Sequence, residues 1–225
     1  MADYDWTRFT LRINVSASPE ALYKAWATRR GIESWFLRLS EYSRNNVLLE
    51  ANEPVRQGDS YKWQWFGYPD SVVEYGEVLQ ANGKDFFEFT FGGTAELPMH
   101  VSVTFRIEEG DTIVELTQYN IAVDDRSKSN FHVGCMQGWT FYLANLKSLM
   151  EAGIDLRNKN EKLQRMMNSG CLLYYDGHNI YTNLFINGYQ LPAAIRLMMY
   201  NIPFGIDSLA FMCMELPPAE CDCAV

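Results

Sequence analysis

The chain has 225 residues, 48% hydrophobic and 21% charged, with a formal net charge of −9. A domain of about 150 residues buries about 70% of the surface its unfolded chain exposes, so this length suits one large domain, or an ordinary domain with an appendage, and leaves room for a ligand cavity. The acidic balance excludes a general nucleic-acid binder, which needs a basic face to displace counterions, and simple electrostatic docking on anionic lipid.

The opening Met1-Ala2-Asp3-Tyr4-Asp5-Trp6 lacks the basic and apolar regions of a secretory signal. Phe9, Leu11, Ile13 and Val15 then alternate with polar residues, the period of a half-buried strand. Ser18-Pro19-Glu20 supplies an N-cap, a first-turn proline and an acid at the positive end of a helix that carries Leu22, Tyr23 and Trp26. Gly31 is expected to break this helix, and Ile32, Trp35 and Phe36 suggest a second, short one.

Strand patterns follow. Tyr61, Trp63 and Trp65 alternate with Lys62 and Gln64. A run over 72–79 ends at the hairpin pair Asn82-Gly83 and returns over 85–91. Val101, Val103, Phe105 and Ile107 alternate, and Glu109-Gly110 turns the chain into a strand over 112–121. The clearest helix places Phe131, Cys135, Trp139, Tyr142, Leu146 and Met150 on one stripe, with Gly153 as its C-cap. These elements predict an α+β fold whose antiparallel sheet curls around the long helix, with a cavity between them.

Composition changes near Ser169: of the 19 Lys and Arg residues only Arg196 lies beyond it, and all six Trp lie before it. Cys135 is the sole cysteine before that point, with Cys171, Cys213, Cys221 and Cys223 after it. No disulfide framework is expected, and a reducing cytoplasm fits. In the tail, 172–175 and 180–186 read as strands with turns at Asp176-Gly177 and Asn187-Gly188, followed by a short helix over 192–199. Arg196, Pro203 and Asp207 interrupt its longest apolar stretch, which argues against a membrane span. The tail could pack on its own domain, form a homo-oligomer interface, or be a non-native extension.

Several local motifs resemble the helix-grip proteins of the START-like (SRPBCC) superfamily, and above all the homologues of the activator of the heat-shock-protein-90 ATPase. They are the segment from Ser18 to Trp26 with Trp35-Phe36, then Gly76-Glu77-Val78, then Gly138-Trp139 leading to Leu143, Leu146, Leu149 and Glu151-Ala152-Gly153. The resemblance covers roughly residues 5–157 and implies a domain at 1–157 with an extension at 158–225. It implies a cavity between sheet and helix for an apolar or amphipathic small molecule. Relatives bind lipids or hormones, act as cyclases, or stimulate a chaperone ATPase. That stimulation also depends on a separate N-terminal domain, and the first strand here begins almost at Met1, so no stimulation is expected.

The expected function is therefore noncatalytic binding of a hydrophobic or amphipathic small molecule or lipid. A chaperone-ATPase-modulating or other interaction module, and a cyclase- or hydrolase-like enzyme, are the alternatives. Trp35, Trp63, Trp65, Phe89, Trp139 and Tyr142 are the candidate ligand-binding residues, against the plainer expectation that aromatics fill a core. No catalytic residue, metal or cofactor is assigned. His100, His132 and His178 are isolated, and Cys221-Asp222-Cys223 with Cys213 is too little for a structural zinc site. Glu108, Glu109 and Asp111 sit in a turn, while Glu115 faces either inward as an acid of raised pKa or, on the plainer view, solvent.

Overall fold

The computed structural model describes residues 4–93, 97–160 and 162–163, together with the backbone of four short strands in the tail. Strand β1 (Arg8–Asn14) is followed by helices α1 (Pro19–Ala27) and α2 (Arg29–Trp35). Then come β2 (Leu39–Arg44), β3 (Val47–Leu48), β4 (Ser60–Gln64), β5 (Glu74–Ala81), β6 (Phe86–Gly93), β7 (Pro98–Glu108) and β8 (Asp111–Tyr119). A helical turn α3 (Asp125–Ser127) and a π-helical turn (Lys128–Val133) lead into the long helix α4 (Gly134–Ala152).

The eight strands form one antiparallel sheet in the order β1-β8-β7-β6-β5-β4-β2-β3. It curves around α4 as the expected helix grip. Long-range antiparallel pairing places β1 beside β8, so the first and last strands of the sheet in chain order meet. The alternation read from β1, β4 and β7 holds, with Phe9, Tyr61, Trp63, Val101, Val103 and Phe105 turned into the core, and β8 alternates as well, burying Val114 and Leu116. Ile107, near the end of β7, is exposed. Trp139, Tyr142 and Leu146 of the helical stripe are buried, and Phe131, Cys135 and Met150 pack partly buried against the same core. Among the described residues no helix is long and apolar enough to cross a membrane.

Two local expectations are corrected. The first helix breaks at Thr28 rather than at Gly31. Thr28 is extended (φ −136°, ψ 153°), donates its hydroxyl to the Lys24 carbonyl at 2.9 Å and accepts the Gly31 amide at 3.0 Å, so one side chain ends α1 and caps α2. Gly31 lies inside α2, where a Cβ would collide with that same Lys24 carbonyl; it permits the two helices to abut. Strands β2 and β3 were not anticipated. Their turn is Asn45-Asn46, both at positive φ, the geometry of a two-residue hairpin, and the inward position of β2 holds polar Ser40.

The segment after α4 is tied to α2. Gly153 caps α4 in the left-handed conformation (φ 69°). The buried Arg157 guanidinium then donates to the carbonyls of Glu33 (2.9 Å), Ser34 (2.6 Å) and Leu37 (2.9 Å), groups at the end of α2 that lack partners within the helix. Asp155 holds it by two further bonds of 2.9 and 2.7 Å. Buried Asn145 of α4 adds a second tie, donating to the Trp35 carbonyl and accepting the Leu156 amide, each at 2.6 Å. A chain ending at 168 is expected to unfold cooperatively, and one ending at 153 to melt at clearly lower temperature. Thermal unfolding followed by circular dichroism checks both.

In the tail, β9 (Tyr174–Tyr175) pairs with β10 (Ile180–Tyr181) and β11 (Phe185–Ile186) with β12 (Tyr189–Gln190), both antiparallel, the second pair flanking Asn187-Gly188. The helix expected over 192–199, His178 and the cysteines at 171, 213, 221 and 223 lie outside the described residues.

Candidate functional site

The site is built on the concave face of the sheet where α4 crosses it. Trp63 comes from β4 and Trp65 from the residue just after it, Phe89 from β6, Trp35 from α2, and Trp139 and Tyr142 from α4. Five of these expected residues are buried and Trp65 is partly buried. Phe36, immediately after α2, gathers them. Its ring centroid lies 5.3 Å from Trp35, 5.8 Å from Trp63 and from Trp65, 4.8 Å from Trp139 and 4.7 Å from Tyr142. Phe89 joins through Trp63 at 5.2 Å. The six therefore meet, and much of the space between them is taken up by their own ring contacts.

A second set of groups shares this face and is polar. Fully buried Gln118 of β8 accepts the Trp139 indole N–H at 2.9 Å and points its amide nitrogen at the Met99 sulfur, 3.5 Å away. Cys135 lies on α4 one turn before Trp139. Burial pushes its thiol pKa up to about 11; Gln118 works against this and nearby Glu74 adds to it.

Glu74 is the inward-facing acid. It pairs across the sheet with Trp63 and shares the phase of buried Val78, four residues on. Burial raises its pKa, opposed by the Gly92 amide, which donates to Oε1 at 2.6 Å. That amide is available because β6 bulges between Thr90 and Gly93, where Gly92 (φ 67°) and Gly93 (φ 84°) are both left-handed. Glu115, by contrast, pairs with Arg12 at 3.0 Å and Arg106 at 2.8 Å, a partly exposed network that also takes in Glu108. The phase of Val78, Gly76 and Glu74 was the sequence signal for the inward acid.

A carboxyl group with a raised pKa in the fold contributes stability that is full below its unfolded value and lost as pH rises through the folded value. The titratable groups beside it, Tyr61 of β4 and Cys135 of α4, have pKa values raised mainly by burial and stay protonated through this range. Glu74→Gln, which fixes the neutral form, is therefore expected to raise the melting temperature near neutral pH and to change it little at about pH 4. Thermal unfolding at the two pH values checks the sign.

An open cleft of about 320 Å³ is lined by Gly93, Leu97, Met99, Asn120, Asp124, Arg126 and Phe131 among others; none of the six expected aromatics lines it, and it is linked to Gln118 through Met99. Met99 is only 2% exposed and forms its floor, between the opening and Gln118. The π-helical turn supplies Phe131, and its buried His132 fixes the N-terminal segment. The Tyr4 hydroxyl lies 2.8 Å from Nε2 and the Trp6 carbonyl 3.0 Å from Nδ1. Among the described residues no group of His, Cys, Asp and Glu is placed to hold a metal ion.

A sequence model described as "Activator of Hsp90 ATPase homolog 1-like protein" matches residues 16–151. No curated protein matches the chain at a significant level. Among solved structures, a Staphylococcus saprophyticus protein is similar with a TM-score of 0.51 at 17% identity, over 67% of this chain and 96% of that one. DynU16, from the dynemicin biosynthetic locus, has a TM-score of 0.52 at 17% identity over 68% of this chain, but the match spans only 50% of DynU16. The Aha1 dimer of Colwellia psychrerythraea, solved in solution, has a TM-score of 0.49 at 22% identity, over 65% and 97% of the two chains. With the family match covering more than half its length, and with a curved sheet gripping a long helix, this chain belongs to the Activator of Hsp90 ATPase homolog 1-like family of the START-like superfamily.

Proposed function

We propose that the protein binds a hydrophobic or amphipathic small molecule between sheet and α4 without transforming it, and that the ligand enters past Met99. The helix grip is a ligand-binding fold, which supports the first part. The observation that carries the second is the cleft with Met99 in its lining, whose sulfur contacts Gln118, the hydrogen-bond partner of Trp139. A methionine side chain has three rotatable bonds and a polarizable sulfur, so it can swing aside and repack around a guest at small cost. On this reading a guest that passes Met99 meets the expected aromatics Trp63, Trp65, Phe89 and Trp139, then Trp35 and Tyr142, and parts rings that otherwise pack on one another.

The inward polar groups suit recognition better than attack. A thiol with a pKa of about 11 is protonated at neutral pH and is a poor nucleophile. Gln118 already has both ends of its amide engaged and can orient a ligand's polar end by exchanging one partner.

Native mass spectrometry of the protein purified without detergent tests this reading. The expected result is a bound mass that is released by organic solvent and competed by an apolar fluorophore. Protein of bare mass that also takes up no such fluorophore would overturn it.

A further inference from the structure

We propose that the molecule received at this site carries a protonated amine, with Glu74 as its counter-ion; the proposal rests on the small-molecule reading above and adds the ligand's charge. Glu74 lies on the inner face opposite Trp63, and the bulge that presents the Gly92 amide to it continues into Gly93 at the cleft. Among the described residues no Lys or Arg pairs with its carboxylate; its hydrogen bond is to the Gly92 amide.

The same fold treats a fully buried acid differently. Asp59 is matched by the Arg44 guanidinium through bonds of 2.8 and 2.7 Å and by the Arg56 amide at 2.7 Å. A carboxylate withdrawn from water without a cation is unfavourable, and burial does raise the pKa of Glu74. An acid kept on this inner face without a cation lacks a partner that a guest can supply.

The aromatic rings of this face favour a cation as well. Phe91, next to Gly92 on the bulge, has its ring centroid 6.4 Å from Trp63, 6.3 Å from Trp65 and 5.2 Å from Trp139. The faces of such rings attract ammonium groups, Trp most strongly, while their apolar area takes the remainder of the ligand. A carboxylate on the inner face, with the partly buried rings of Trp65 and Phe91 on the same side as its cross-strand neighbour Trp63, thus selects an amphipathic amine over a neutral or anionic molecule of equal length.

The test titrates phenylbutylamine, phenylbutanol and phenylbutyrate into the full chain at about pH 7.5, where the amine is protonated and the acid ionised. Tryptophan emission and amide chemical shifts report binding. The amine is expected to bind about tenfold tighter than the alcohol, through a charge-assisted hydrogen bond and ring contacts, with the carboxylate weakest. Glu74→Gln is expected to erase the advantage of the amine and leave the affinity for the alcohol unchanged. Equal affinity of amine and alcohol in the unaltered protein, which needs no variant to measure, overturns the assignment while leaving the pocket standing. So does a preference for the amine that survives Glu74→Gln. Failure of all three to bind overturns both this inference and the pocket.

Discussion

Trp139→Ala is expected to lower the unfolding free energy by about 3–5 kcal/mol, the range for truncating a buried tryptophan. Trp139 is 2% exposed and stacks on Phe36 at 4.8 Å and Trp26 at 5.8 Å, with Phe91 at 5.2 Å. Its loss removes these ring contacts and leaves the Gln118 carbonyl oxygen without its 2.9 Å donor. Trp139→Phe separates the two contributions, since it keeps most of the ring packing and removes the donor, for about 1–3 kcal/mol. Urea unfolding of both variants gives the values. The same pair reports on binding. A native site that accepts guests binds a naphthalene-type fluorophore in the unaltered protein and more weakly in the alanine variant. Binding by the alanine variant alone would show that the guest fills only the hole made by the substitution.

Asp59→Ala is the second large effect, expected at about 3 kcal/mol, toward the lower end for breaking a buried ion pair. Both oxygens of Asp59 are engaged, and its side chain is 2% exposed. Without it Arg44 remains partly buried but keeps Glu53 at 2.6 Å and the Pro54 carbonyl at 3.2 Å, which moderates the loss. The pair joins β2 to the start of β4, where the Val78 amide also donates to the Asp59 carbonyl at 2.9 Å. The damage should therefore reach the strand that carries Trp63. A drop in denaturation midpoint with an unchanged slope is the expected signature. A variant as stable as the parent would show that the ion pair is dispensable.

Much of the fold was legible because its apolar positions keep strict periods. Phe9 to Ile13 and Val101 to Phe105 alternate on half-buried strands, and Trp139, Tyr142 and Leu146 fall on one helical face. Punctuation was also readable where a residue type has one physical use: Ser18 as N-cap, Gly153 as a left-handed helix end, and Glu109-Gly110 as a two-residue turn. What escaped was the polar residue in an apolar phase. Ser40 faces inward on β2, which hid that strand, and Glu74 faces inward on β5, where an acid reads as solvent-exposed. Thr28 escaped for a related reason, since its hydroxyl replaces backbone partners that periodicity does not count.

The candidate site was partly legible on the same terms. Large aromatics on inward phases identify the wall residues, but sequence spacing says nothing of how closely rings from different elements approach. Phe36 became the hub because α2 ends there and turns its ring between β4 and α4. The opening at Met99 depends on a bulge and a π-helical turn, two irregularities that break the period by which strands and helices are recognised.

The most direct measurement follows the Met99 methyl and Trp139 indole resonances of the full chain while an apolar fluorophore or phenylbutylamine is added. Entry past the methionine floor predicts that both shift along one saturable curve, with the Trp139 N–H moving as its bond to Gln118 adjusts. If both stay unmoved while the added molecule binds elsewhere, or does not bind, small-molecule binding between sheet and helix is contradicted.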